Sequence, residues 1–330
     1  MVKLLMKNIL VTGGTGFVGL HTVRALLERG DRVAMLGRDF SRADALIAAG
    51  AEPIVADLRD RAAIAAACAG RDAVLHIGAL SAPWGRRADF HAINVDGTAN
   101  VIAGCRQHNV GRLVAVSSPS VLFNGRDQAL LTDASPYPAR FISVYSETKK
   151  LAEDLVNAAY RNGLPSVILR PKAIFGPGDT TLLPRLVEAA RQGRLPQIGD
   201  GRNLVDLTYV DNVVHALLLA LESDAALGKT YTITNNEHVP LWDVIRTVLS
   251  ELGLSTQLRR VPLRVALLVA SLMEARAAIT GREPLLTRYS VAILARTQTY
   301  DISAAQRELG YAPRITVAEG VQRTLAAMRG

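Results

Sequence analysis

The sequence predicts an α/β protein: a doubly wound parallel sheet with a smaller, discontinuous C-terminal α/β domain for the substrate. Three observations predict this fold class. They are a strand, glycine turn and helix at the start, an alternation of short apolar strands with helical patterns through about residue 170, and a length of 330 residues. Strands that alternate with helices form parallel sheets covered on both faces. The hydrophobic content of 49% is enough for a globular core.

The first element is a short apolar strand at Asn8–Thr12, and a glycine-rich turn and a helical pattern from Leu20 to Arg29 follow it. The turn can be read with the glycine spacing 14/16/19 or 13/16/19. Glycines allow the backbone to approach a pyrophosphate, whose charge is favoured at a helix N-terminus. The segment therefore predicts a dinucleotide site that includes Gly13, Thr15, Gly16, Phe17 and Val18.

The second strand, Arg32–Leu36, indicates which dinucleotide binds. Gly37 stands where an acid would hold a ribose 2′-hydroxyl, and Arg38 follows it. An arginine there suits a 2′-phosphate, so NADP(H) is favoured. Asp39 keeps NAD(H) possible, and Arg38 as a solvated loop charge is the alternative.

The third strand ends near Asp57 and Leu58, where a carboxylate can meet the adenine edge of the cofactor. Asp57 can equally cap a helix that begins near Arg59. Further strands are predicted at Val74–Ile77, Arg112–Val116 and Ser166–Leu169.

Glycine- and proline-rich segments at 176–178 and 196–201 indicate where the chain leaves the nucleotide domain, and a helical pattern at 212–221 indicates a return. We therefore expect residues 1–170 plus about 205–235 in the cofactor domain. The remainder, about 171–204 plus 236–330, is expected to form the substrate domain.

Tyr145 and Lys149 stand four residues apart in the helical segment Tyr145-Ser-Glu-Thr-Lys149. Residues at i and i+4 share one helix face, so the ammonium can lie beside the phenol. A neighbouring cation favours the phenolate, which predicts that the pKa of Tyr145 is lowered toward the range of a general acid or base.

With these motifs, the chain resembles the extended short-chain dehydrogenase/reductases, which share a Rossmann sheet. It is most similar to their 3β-hydroxysteroid dehydrogenase and sterol-4α-carboxylate 3-dehydrogenase branch and to related bacterial 3-oxoalkanoate reductases. The resemblance covers nearly the whole chain and is carried by residues 12–19, 57–58, 76–79, 94–98, 117–125, 136–138, 145–149, 170–179, 301–303 and 309–313.

The resemblance implies that Ser118, Tyr145 and Lys149 are catalytic, with Ser117 as the competing choice for the hydroxyl. It implies that Lys149 also holds the nicotinamide ribose, and that Gly78, Ala79 and Pro171 contact the cofactor. Phe123 replaces a tyrosine that sugar-modifying relatives often carry, which disfavours a nucleotide-sugar epimerase.

Candidate substrate contacts are Ser118 together with four aromatic residues: Trp84 after the fourth strand, Phe123, Tyr137 and Phe141. The nearly continuous apolar run at 261–273 is too short to span a bilayer. It predicts a cover for an apolar pocket, a weak contact with a membrane surface, or a buried helix.

The net charge of +8 comes from scattered arginines, which indicates a solvated surface and no nucleic-acid partner. Cys68 and Cys105 lack metal-ligand spacing, as do the six histidines, so no metal is expected. Buried free thiols and the absence of a recognisable cleavable signal fit a cytoplasmic protein. His76 is expected to be a satisfied interior side chain.

These features favour an NAD(P)-dependent oxidoreductase that interconverts a secondary alcohol and a ketone on a bulky apolar small molecule, of the sterol, steroid or 2-alkyl-3-oxoalkanoate type. A nucleotide-sugar epimerase or dehydratase, with Arg185, Arg194 and Arg202 binding the diphosphate, is the second hypothesis. A non-catalytic nucleotide-sensing protein is the third. A homodimer through the helices near 88–108 and 143–162 resembles the family habit.

Overall fold

The computed structural model describes residues 6–180 and 183–329. Its larger sheet has seven parallel strands in the spatial order β12-β7-β5-β4-β1-β2-β3. The strands are β1 (Asn8–Thr12), β2 (Arg32–Gly37), β3 (Glu52–Val55), β4 (Ala73–His76), β5 (Arg112–Val116), β7 (Ser166–Pro171) and β12 (Thr230–Ile233). The predicted doubly wound parallel sheet is confirmed.

Helices cover both faces of this sheet because its strands are apolar on both sides. One face packs against α1 (Phe17–Glu28) and α8 (Val210–Glu222). The other packs against α3 (Arg61–Cys68), α5 (Gly97–Gln107) and α6 (Val144–Arg161). A short α2 (Asp44–Ala48) links β2 to β3. Central strands buried on both faces are typical of this arrangement.

A smaller mixed sheet has the order β13-β10-β15-β6. Its strands are β6 (Gln128–Leu131), β10 (Leu204–Asp206), β13 (His238–Pro240) and β15 (Gln298–Tyr300). Two parallel pairs complete the strands: β8 (Ile174–Phe175) with β11 (Thr208–Tyr209), and β9 (Gln197–Ile198) with β14 (Arg260–Val261). One strand of the smaller sheet thus precedes residue 170 in the chain, and the others follow it.

The remaining helices surround the smaller sheet, apart from the short α4 beside α6. They are α4 (Arg87–Phe90), α7 (Leu183–Arg191), α9 (Leu241–Glu251), α10 (Leu263–Thr280), α11 (Arg288–Ala295) and α12 (Val317–Arg329). The predicted apolar run at 261–273 lies mostly in α10, which buries Ala266 and Ala270 against α9 and α11. No helix in the described ranges has the length and apolarity needed to cross a bilayer.

Candidate active site

The glycine turn between β1 and α1 is packed so closely that side chains would collide there. Gly13 has φ +67°, and a Cβ on it would lie 2.5 Å from the Gly78 Cα. A Cβ on Gly19 would lie 2.1 Å from the Gly13 carbonyl oxygen. The turn therefore brings bare backbone to the N-terminus of α1, which suits a bound pyrophosphate.

Gly37, at the end of β2, is fixed by the same packing. A Cβ at this position would lie 2.4 Å from the Thr15 Oγ1. Position 37, where a ribose-binding acid would stand, is therefore closed to any side chain while Thr15 keeps its position.

A cavity of about 590 Å³ runs along the carboxyl ends of the large sheet, from this turn to α6. Ligands bind at this edge in doubly wound sheets. The wall of the cavity includes every cofactor-binding residue predicted from the sequence: Gly13, Thr15, Gly16, Phe17, Val18, Arg38, Asp57, Leu58, Gly78, Ala79, Lys149 and Pro171. The wall thus fits an extended dinucleotide.

Arg38 and Asp57 lie together at one end of this cavity. The Arg38 Nη1 is 3.8 Å from the Asp57 Oδ2, and the Arg38 side chain is 71% exposed. Asp57 pairs with Arg59, whose hydrogen bonds hold the pKa of Asp57 at about 2. Asp39 lies outside the wall, and its Oδ1 accepts a hydrogen bond from the Ser41 backbone.

Ser118, Tyr145 and Lys149 lie together at the wall beyond the glycine turn. Ser143 caps α6 by accepting a hydrogen bond from the Ser146 backbone, which fixes the helical turn that carries Tyr145. Burial raises the pKa of Tyr145, and the hydroxyls of Ser81 and Ser118 beside its phenol oppose this shift. The phenol therefore has Ser118, and not the neighbouring Ser117, as its serine partner from this loop.

Lys149 lies on the same helix but turns its ammonium toward the sheet. The Nζ donates a hydrogen bond to the Val116 carbonyl oxygen at 2.6 Å. Burial lowers the pKa of Lys149 to about 8, against the attraction of Glu153. The expectation that this cation lowers the pKa of Tyr145 is not met, because burial of the phenol dominates.

His76 ends β4 beneath the cavity and bridges two buried threonines. Its Nδ1 lies 2.7 Å from the Thr12 Oγ1, and its Nε2 lies 3.0 Å from the Thr98 Oγ1. Burial, followed by the nearby charge of Lys149, lowers the pKa of His76 to about 3. The ring is therefore neutral at physiological pH and is a satisfied interior side chain.

Asn94 positions the loop that follows β4. It lies in a one-turn π-helix, His91–Asp96. Its side-chain amide accepts a hydrogen bond from the Leu80 backbone and donates to the Leu80 carbonyl oxygen and to Thr148. This clamp fixes Leu80 and so places the neighbouring Ala79 and Ser81 at the wall.

The structure does not bring the four aromatic candidates to the wall. Phe123 is fully buried in the core. The Tyr137 hydroxyl donates to Glu153 and accepts from Arg170, a buried ion pair. Trp84 and Phe141 are half-buried outside the cavity. These side chains therefore pack in the protein or, for Tyr137, hydrogen-bond to the buried Arg170–Glu153 ion pair, and they do not line the cavity.

Several wall residues were missed in the sequence. Tyr289 and Ile293 come from α11, and Lys172 follows Pro171 at the end of β7. Ser81 and Ser120 complete the polar part of the wall beside Tyr145. Ser120 and Lys172 stand inside the motifs at 117–125 and 170–179, and Ser81 follows the one at 76–79, whereas no local pattern marks Tyr289.

Comparison with known proteins gives matches over most of the chain. The model of the 3-beta hydroxysteroid dehydrogenase/isomerase family matches residues 10–264. The 2-alkyl-3-oxoalkanoate reductase of Stenotrophomonas maltophilia is 40% identical over 97% of this chain and 99% of its own. The mouse sterol-4-alpha-carboxylate 3-dehydrogenase, decarboxylating, is 36% identical over 97% of this chain and 90% of its own.

Among solved structures, MoeE5 in complex with UDP-glucuronic acid and NAD superposes with a TM-score of 0.77. It is 26% identical and matches over 98% of this chain and 99% of its own. The family match and the two relatives agree with the sequence motifs that line the cavity. The chain belongs to the 3-beta hydroxysteroid dehydrogenase/isomerase family, and it is an NAD(P)-dependent dehydrogenase/reductase that acts on CH–OH groups.

Proposed function

We propose that the protein interconverts a 3-oxo acid and the corresponding 3-hydroxy acid, with a bulky apolar substituent on the carbon between the two functional groups. One observation carries this proposal: Ser118, Tyr145 and Lys149 meet at one end of a cavity whose other end fits a dinucleotide. The bound nicotinamide supplies or accepts the hydride at the reacting carbon.

The proton chemistry is assigned to Tyr145. Its raised pKa keeps the phenol protonated at neutral pH, which suits proton donation to a ketone oxygen during reduction. Ser118 donates a hydrogen bond to the same oxygen and so orients it. In the oxidative direction the phenolate accepts the proton of the alcohol.

The substrate class is supported by the names of two relatives. The 2-alkyl-3-oxoalkanoate reductase and the sterol-4-alpha-carboxylate 3-dehydrogenase both act at an oxygenated carbon next to the carbon that bears the carboxylate. Sterol and 2-alkyl groups are both bulky and apolar. Leu80, Ile93 and Ile293 supply apolar wall in the cavity for such a group.

The proposal favours this class over a nucleotide-sugar substrate. Arg185, Arg194 and Arg202, the candidates for binding a diphosphate, lie outside the cavity wall. Arg185 instead pairs with Glu283 at 3.5 Å. A non-catalytic sensor has no use for the Ser118 and Tyr145 pairing.

The preferred cofactor in this proposal is NADP(H). Arg38 is exposed at the wall, where it can meet a 2′-phosphate, and the Asp39 carboxylate is held by Ser41 outside it. NAD(H) is the weaker binder because no free carboxylate faces the ribose at this end of the described wall.

We further propose a homodimer through α5 and α6, whose outer surface includes the half-exposed Tyr160. Light scattering of the purified protein tests it, and a monomer at micromolar concentration would refute it. The protein is proposed to be cytoplasmic, which the buried free thiols of Cys68 and Cys105 support.

A weak contact with a membrane surface is proposed for α10. Val265, Leu268 and Leu272 project from it with exposures of 49%, 62% and 65%. Sedimentation with anionic phosphatidylserine vesicles tests this contact, and replacement of Leu268 and Leu272 by serine should abolish it. Equal sedimentation of parent and variant would overturn it.

The test of the catalytic proposal is turnover of a 2-alkyl-3-oxoalkanoate, a steroid ketone and UDP-glucose by purified protein. Tyr145→Phe should keep cofactor affinity and lose about 100- to 10,000-fold in kcat, because proton donation is removed. Tyr231→Phe, which removes a phenol hydroxyl outside the cavity wall, is the matched control. Parental turnover by Tyr145→Phe would exclude the acid/base assignment.

A further inference from the structure

Three cationic side chains line the cavity within the described part of the chain: Arg38, Lys149 and Lys172. Arg38 lies at the dinucleotide end, and Lys149 lies on the catalytic helix. Lys172 is different because it follows Pro171 at the end of β7 and points toward the smaller sheet, where its Nζ donates to the Gln298 Oε1 at 2.6 Å. Neither the cofactor site nor the catalytic pair uses this cation.

Lys172 is only 8% exposed, yet it has no ion pair within the described residues. Asp206 is the nearest carboxylate that acts on it, but both oxygens of Asp206 are already engaged. One accepts from the His238 Nδ1 at 2.7 Å, and the other accepts from the Tyr300 backbone at 2.7 Å. Besides this amide oxygen, the ammonium faces the Tyr300 ring, with the Nζ 5.6 Å from the ring centroid. Among the described residues its contacts are thus neutral, which leaves capacity for an anion.

Two other polar groups of this region lack hydrogen-bond partners among the described atoms. The Gln298 Nε2 belongs to the amide that Lys172 contacts, and it is buried with no hydrogen-bond partner among the described atoms. The Ser120 Oγ is likewise buried and unpartnered, and Ser120 lines the cavity. Buried polar groups are normally satisfied, so the unpartnered Ser120 hydroxyl at the cavity wall indicates a ligand with acceptor oxygens.

Tyr289 adds a further donor, from α11. It projects into the cavity from the first turn of α11, which a reciprocal capping box between Thr287 and Ser290 fixes. The phenol lies beside Ser120 and close to Tyr145. Burial raises its pKa, so the hydroxyl keeps its proton and can donate.

These donors adjoin the reacting centre. The Ser120 backbone donates to the Ser118 Oγ at 3.2 Å, so the two serines belong to one tight turn. A substrate oxygen at Ser118 therefore has Ser120 next to it. This matches an acid whose carboxylate is attached to the carbon beside the reacting carbonyl.

We infer that Lys172, Ser120 and Tyr289 form the subsite that binds the substrate carboxylate while Ser118 and Tyr145 hold the reacting oxygen. The inference rests on the proposed function, because it assigns a role within that site. It makes Lys172 a specificity-determining residue that separates acids from neutral ketones and alcohols of the same shape.

The test compares a 2-alkyl-3-hydroxyalkanoate with its methyl ester, with NADP⁺ as the oxidant. The parent protein should favour the acid, both in kcat/KM and in binding measured by calorimetry with bound NADPH. Lys172→Met should reduce the acid-to-ester ratio by about 10- to 100-fold, the usual range for losing one charged hydrogen bond. Lys172→Arg should keep most of the preference, and Ser120→Ala should lower it by less than Lys172→Met.

The matched control is Lys229→Met, which removes an exposed lysine paired with Glu308 outside the cavity. It should leave the acid-to-ester ratio unchanged. If Lys172→Met binds NADPH and melts like the parent but keeps the full ratio, the subsite is refuted. If Lys172→Met does not fold, the ratios of Ser120→Ala and Tyr289→Phe decide, and parental ratios in both refute it.

The outcomes also separate this subsite from the proposed function. Preferential binding of the acid by the parent, lost in Lys172→Met, without turnover of either compound, would support the subsite and refute the reaction. Turnover of acid and ester with equal efficiency by the parent would support the reaction and refute the subsite.

Discussion

The two ends of the cavity, the proposed dinucleotide end at the glycine turn and the proposed substrate end near Tyr145, are constructed differently. The dinucleotide end is made by consecutive residues at strand ends, where backbone atoms meet at distances that exclude side chains, as Gly13 and Gly19 show. The substrate end is made by side chains from separate parts of the chain, with Tyr289 from α11 and Lys172 from the end of β7. The first end is specified by local sequence. The second depends on how the smaller sheet and α11 pack against the large sheet.

The largest effect is expected at the dinucleotide end. Gly19→Ala places a Cβ 2.1 Å from a backbone oxygen that cannot move aside, so we expect a loss of about 3 kcal/mol or more in unfolding free energy and weaker NADPH binding. Urea unfolding and cofactor titration measure both. Gly30→Ala is the control: its φ is +91°, but its added Cβ meets nothing within 4 Å, so about 1 kcal/mol is expected. Equal losses of unfolding free energy in the two variants would show that steric collision at Gly19 does not determine the stability of this turn.

A smaller effect is expected from Arg38, whose side chain is exposed at this end of the cavity. Arg38→Ala should reduce the preference for NADPH over NADH by about 10-fold, because a charged hydrogen bond to the 2′-phosphate is lost. The ratio of the two dissociation constants measures it, with the exposed Arg24→Ala of α1 as control. A parent that binds both cofactors equally would remove the basis for assigning Arg38.

The smallest effect concerns His76, which lies beneath the junction of the two ends. Its pKa is about 3 in the folded protein, against an ordinary value of 6.5, so the unfolded chain takes up a proton first as the pH falls. The contribution of neutral His76 to stability is therefore complete above about pH 6.5 and is lost as the pH falls toward 3. The free energy of unfolding should therefore fall by about 1 kcal/mol between about pH 7 and pH 5.5 because of His76.

His76→Asn should flatten this part of the stability curve, whatever its effect on stability at neutral pH. Urea unfolding at several pH values measures the slope. Parallel curves for parent and variant would mean that His76 is not the group that titrates.

Six strands of the large sheet and the glycine turn were predictable because their signals are local; β12 and the strands of the smaller sheet were not predicted. The apolar run at Asn8–Thr12 and the glycines that follow it predict β1, the turn and α1 within a few residues. Apolar runs predict β5 at its observed bounds and β7 with a start at Ser166. A continuous apolar run is sufficient there, because parallel strands are buried on both faces.

The substrate end was not predictable in the same way. Phe123 looks like a pocket residue by position, but the core buries it fully. Tyr289 has no local signal, since its place depends on how α11 packs against α10 and β9. The spacing of Tyr145 and Lys149 gives a shared helix face, but the Val116 carbonyl, distant in sequence, decides where the ammonium points.

The contact between Gly37 and Thr15 limits how this protein can change its coenzyme. Relatives with an acid at the end of the second strand gain NAD recognition from one residue. Here the Thr15 hydroxyl occupies the space that such an acid needs. An acid introduced at position 37 alone would collide with Thr15, so a design or an evolutionary path that uses such an acid to bind NAD must first shorten residue 15.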